Sequence, residues 1–141
     1  LKVKRMLLSP LKVKKFQTSR FIRRRSLAFG CGICCPSVTF AVENLPNPVF
    51  TVHFRSCEDW EAWEKISKLN GEFIYIPRPV MGHRIHEDSE TTAAIGDNKR
   101  TKEEYEMFCK FWPKIFANLL LKQYSKGQQS NQLNGDVLKK K

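Results

Sequence analysis

Apolar positions recur along this chain with two periods. From Tyr105 to Leu120 they fall at Tyr105, Phe108, Phe111, Trp112, Ile115, Phe116, Leu119 and Leu120. Steps of three and four make one broad apolar face, so residues 105–124 are predicted to be an amphipathic helix. Thr101 with Glu104 three residues on supplies a capping box for it, and Pro113 should kink it. A shorter helix is predicted from a Ser56 cap, with Asp59 three residues later, to about Leu69. Asn70-Gly71 ends it, glycine being the usual left-handed stop. Two stretches have strand character. Ile33 to Phe40 reads as one strand, which Pro36 places at an edge or bulge. Residues 72–76 read as a second, which Val80-Met81 continue past the Pro77-Arg78-Pro79 kink. Residues 43–57 and 87–100 read as loops, and residues 1–25 as partly helical, broken near Pro10. From Ser125 the chain is rich in Gln, Asn, Ser, Gly and Lys, and residues 125–141 are predicted to be a disordered polar tail.

Charge divides the chain unevenly. Ten basic and no acidic residues lie in residues 1–25, against a net charge of +11 for all 141 residues. Such a segment attracts anionic partners. Val3, Met6, Leu7, Leu8, Leu11, Val13, Phe16, Phe21 and Ile22 interleave with the cations. That mixture favours an anionic membrane surface over nucleic acid, because an amphipathic basic helix gains from charge and from apolar insertion. The plainer alternative is a solvated helix of a larger fold. No apolar run approaches the roughly 18 residues of a membrane span. Five cysteines without a secretory signal point to reduced thiols and a cytoplasmic protein.

Candidate chemistry is concentrated in two clusters, Glu58-Asp59-Trp60 and His83-Arg84-Ile85-His86. Asp59 is either a first-turn carboxylate that favours the helix dipole or a general base, and a base there is weak unless desolvated. Trp60 is either core or a face for a sugar or lipid. On a strand Arg84 and His86 share a side that His83 does not, so they can converge on one anion. Cys31, Cys34, His83 and His86 supply the types of four zinc ligands, but buried cysteine as a small hydrophobe accounts for them better, and no metal residue is assigned.

These segments, in this order, resemble the C-terminal half of bacterial family 2 glycosyltransferases, which have the GT-A fold. The match runs through residues 33–40, Phe54 to Trp63, Gly71 to Pro77 and His83 to Ser89, and covers roughly residues 26–124. The resemblance implies an α/β, Rossmann-like domain with a basic N-terminal helical segment and an amphipathic C-terminal helix. It implies inverting transfer of a sugar from a nucleotide-diphosphate sugar to a hydroxyl acceptor, a saccharide or a lipid-linked one, in cell-surface polysaccharide or glycolipid synthesis. Asp59 would be the base, Glu58 and Trp60 would shape the acceptor site, and Arg84 and His86 would neutralise the donor diphosphate. A divalent cation, Mg or Mn, would be held mostly by the nucleotide-binding half. That half and its Asp-x-Asp are not in this sequence, so the chain is expected to be a fragment, inactive alone, of an enzyme peripheral to the inner face of the membrane. The alternative is a small basic module that binds nucleic acid or lipid without catalysis.

Overall fold

The computed structural model describes residues 2–82 and 98–138, with side chains described for residues 3–82 and 100–126. The order of elements is α1 (Lys2–Leu8), a 3-10 turn (Ser9–Lys12), α2 (Lys14–Gln17), α3 (Arg20–Leu27), 3-10 turns at Cys35–Ser37 and Val42–Asn44, α4 (Glu58–Ser67), α5 (Asn98–Cys109) and α6 (Lys114–Leu138). The described residues contain no strand and no sheet. The expected α/β GT-A architecture is therefore corrected to an all-helical one.

The reason lies in what a strand needs. An extended segment is stabilised by a ladder partner, and neither strand-like stretch finds one. Within residues 33–40 only Cys35–Ser37 is regular, as a 3-10 turn opened by Pro36. Residues 72–76 keep the two-residue alternation, with Phe73 and Tyr75 half-buried and Ile74 and Ile76 exposed. One backbone bond, Phe73 N–H to the Gln17 carbonyl at 3.0 Å, ties them to the helices, and the Phe73 ring packs on the core. The alternation is real, but it lays one apolar edge on the helices rather than joining a sheet.

The core is built by α3, α4 and the α5–α6 pair. Leu27, Phe54, Cys57, Trp60, Ala62, Trp63, Met107, Phe108 and Ala117 are buried together. Trp60 meets Phe108 edge-on, with centroids 5.1 Å apart, a favoured aromatic geometry. Two indoles satisfy carbonyls at the C-terminal end of α3: Trp60 Nε1–H donates to Leu27 O at 3.1 Å and Trp112 Nε1–H to Ala28 O at 2.7 Å.

Several local expectations shift. α4 is preceded by Cys57, not Ser56, and Cys57 gives no side-chain cap. Gly71 does take a positive φ, +122°, after the helix has ended at Ser67. α5 starts before Thr101, which places the expected capping box inside the helix; Glu104 there pairs with Arg100 Nε at 3.0 Å. At Pro113 the helix breaks rather than kinks, and α6 begins at Lys114. α6 then continues to Leu138, where a disordered tail is expected from Ser125. Of the apolar stripe, Phe108 is buried, while Ile115, Phe116 and Leu119 are exposed.

Candidate functional site

Asp59 stands in the first turn of α4, where the helix dipole favours a negative charge. Its Oδ1 accepts the Trp60 backbone N–H at 2.6 Å, and the Cys31 thiol approaches Oδ2 at 3.7 Å. Burial raises the Asp59 pKa; the bonds from Trp60 and Cys31, and the charges of Lys4 and Arg100, oppose that without reversing it. The carboxylate is thus a stronger base than an exposed first-turn aspartate. Cys31 moves upward too, by burial first and by Asp59 second, so it stays a protonated donor and not a nucleophile.

The neighbours expected to share this site differ in their fates. Glu58 is exposed beside Asp59. Trp60 is 1% exposed and its N–H is already bonded, so it is a core residue and presents no face to a sugar. Arg84 and His86, with His83, lie outside the described residues. Among the described residues no group of three or more His, Cys, Asp or Glu can hold a metal ion. The expected divalent cation therefore has no donor set among the described residues.

Sequence reasoning missed a second polar centre, at Glu61. This buried carboxylate accepts from Thr51 Oγ1 at 2.8 Å and Lys110 Nζ at 2.8 Å, pairs with Lys65 Nζ at 3.1 Å, and lies 3.2 Å from His53 Nδ1. Burial alone would raise its pKa, but the bonds from Lys110, Thr51 and Lys65 hold it at about 2. Glu64, one turn on, is paired with Arg24 and, at 2.6 Å, with Lys68. The i,i+4 pairs Glu61–Lys65 and Glu64–Lys68 were legible in the sequence; Lys110 and Arg24, from distant elements, were not.

The basic segment divides into two populations. Arg23 is 1% exposed and donates from Nη2 to Leu69 O at 2.8 Å. Arg24 pairs with Glu64 and also donates to Lys110 O at 3.1 Å, and Arg25 stacks over Trp112 at 4.4 Å. These three are engaged within the fold. Lys4, Arg5, Lys12, Lys14, Lys15 and Arg20 are exposed, and so are Val3, Met6, Val13, Phe16 and Phe21. α1 and α2 each pack on α3 and on the 3-10 turn between them, so this surface belongs to the folded body. Among the described residues no helix is long and apolar enough to cross a membrane. No protein-family model, curated protein or solved structure matches the chain.

Proposed function

We propose that this chain supplies the acceptor side of a glycosyl-transfer reaction, with Asp59 as the general base. The observation that carries the reading is the desolvated carboxylate at the start of α4, whose pKa is raised in the direction a base requires. Asp59 would take the proton of an acceptor hydroxyl as its oxygen attacks the anomeric carbon of a nucleotide-diphosphate sugar. The bond from that carbon to the diphosphate would break, the diphosphate would leave with the electron pair, and the configuration would invert. The reading rests on Asp59 and on the order of the sequence segments, and Trp60 has no direct part in it. It is tested by transfer from a nucleotide-sugar in a protein that joins this sequence to a nucleotide-binding half. Asp59→Asn is expected to lower turnover by about 100-fold, the scale of lost general-base catalysis. Unchanged turnover overturns the assignment.

A second reading has its own observation. Six exposed cations between Lys4 and Arg20, interleaved with five exposed apolar side chains, suit an anionic lipid surface, which accepts both charge and shallow apolar insertion. The two readings are compatible, since lipid-linked acceptors are presented at such a surface. Vesicle sedimentation across a salt series tests it. Binding to anionic vesicles should fall as salt rises, and binding equal to that on neutral vesicles overturns the reading.

A further inference from the structure

Where α3 begins, beside the turn that follows α4, an open cleft of about 430 Å³ is lined by Thr18, Arg20, Arg23, Asn70, Gly71 and Glu72. We propose that this cleft binds a phosphate group, either the phosphomonoester of a lipid headgroup or a free phosphate. The lipid source rests on the anionic-surface reading above; the free-phosphate source does not.

Arg23 is the main reason. Its side chain is buried, its Nη2 is bonded to Leu69 O, and its guanidinium lies 5.3 Å from the Phe73 ring centroid. Its Nε has no partner. A buried guanidinium N–H left unpaired is costly, and an oxyanion is the acceptor that suits it best. Arg20 adds a second guanidinium, which bonds Asn70 Oδ1 through one nitrogen and has further donors to give.

Charge points the same way. Among the described residues neither Arg20 nor Arg23 has a carboxylate partner, whereas Arg24 on the same helix does. Burial first, and the charge of Arg20 second, lower the Arg23 pKa. The Thr18 hydroxyl has only a long bond, 3.5 Å, to Lys15 O and can turn to donate into the cleft. Glu72 also lines the cleft, and its carboxylate opposes an anion. That opposition makes Glu72 a useful probe.

The test uses the full chain, with the arginine Nε–H resonances followed by NMR during titration with inorganic phosphate against chloride at matched ionic strength. The Arg23 and Arg20 signals should shift saturably. Arg20→Ala should weaken phosphate at least about tenfold, and Glu72→Gln should tighten it. Both side chains are exposed, so these variants keep the test sound if Arg23→Ala fails to fold. A parallel arm compares vesicles of phosphatidylinositol phosphate with phosphatidylserine vesicles of equal surface charge. Preference for the monoester lipid, competed by phosphate, identifies a headgroup; a positive titration without that preference identifies free phosphate. No shift up to about 50 mM phosphate, or a shift indifferent to Arg20→Ala and Glu72→Gln, overturns the cleft. If vesicle binding persists in that case, the surface reading stands without it; if vesicle binding is absent as well, both fail.

Discussion

The carboxylate of Glu103 accepts the backbone N–H of Ser56 at 2.8 Å, across 47 residues of sequence. The same carboxylate takes the N–H of Arg55 and of Cys57, each at 3.1 Å. A side chain from α5 thus caps the approach to α4, in place of the Ser56 hydroxyl that the local pattern suggests. Glu103→Ala should then cost about 1–3 kcal/mol, because it leaves backbone donors without an acceptor. Ser56→Ala should stay within about 0.5 kcal/mol. Urea denaturation of the two variants checks this, and the opposite order would restore Ser56 as the cap.

Glu61 gives the fold an acid-sensitive point. Its pKa is held at about 2, below its ordinary 4.5, so the unfolded state binds the proton more readily. The stability it contributes is fully present above about 4.5 and is lost as pH falls toward about 2. The shift corresponds to roughly 3 kcal/mol. Glu61→Gln should flatten the rise in urea midpoint across that window, and Lys110→Ala should do so in part. Equal pH slopes in wild type and Glu61→Gln would remove Glu61 from this role.

Two glycines with positive φ should respond differently. At Gly30 (φ +131°) an added Cβ would overlap the Tyr124 ring, whereas at Gly71 (φ +122°) it meets nothing. Gly71→Ala therefore carries backbone strain alone, about 1–3 kcal/mol. Gly30→Ala carries similar strain plus overpacking of typically about 1–3 kcal/mol. Thermal melts of both variants should rank Gly30→Ala as the more damaging.

Asp59 separates a base from a cap in one protein. Its folded pKa is raised, so stability falls as pH rises through the window above the ordinary aspartate value. Asp59→Asn removes the desolvated charge and should keep or raise the urea midpoint at pH 7 while lowering turnover in the joined protein about 100-fold. If the proposed transfer holds, the acid limb of the pH–rate profile of the joined protein should lie above the ordinary aspartate range, activity rising as the carboxylate ionises. A marked loss of stability in Asp59→Asn would make it a helix cap.

The two populations of basic residues should separate in a vesicle assay. Replacing Lys12, Lys14 and Lys15 together by Ala should weaken binding to anionic vesicles, at about 1 kcal/mol per lysine, and leave the melting temperature nearly unchanged. Arg24→Ala should do the reverse, because it strips a partner from the buried Glu64. Parallel sedimentation and melting curves distinguish the outcomes.

Local chemistry determined that the stripe from Tyr105 is helical and that Pro113 interrupts it, but not where the two helices start and end. The three- and four-residue steps from Tyr105 and the positive φ of Gly71 follow from side-chain periodicity and backbone sterics. The Glu61–Lys65 and Glu64–Lys68 pairs follow from helical spacing. Tertiary structure decided what depends on a distant partner. Residues 72–76 alternate as a strand does, but alternation cannot supply a ladder, and the segment lies against helices instead. Trp60 sits beside two carboxylates in sequence, yet Leu27 and Phe108 surround it, so it is core. Arg23, Arg24 and Arg25 look alike in the chain; a carbonyl, a carboxylate and an indole from three other segments give them different roles. Asp59 gains its basicity in the same way, from burial by distant segments, which the bond from Cys31, 28 residues away, opposes without reversing. Periodicity reports which face of an element is apolar, and only the packed chain sets what that face and its charges meet.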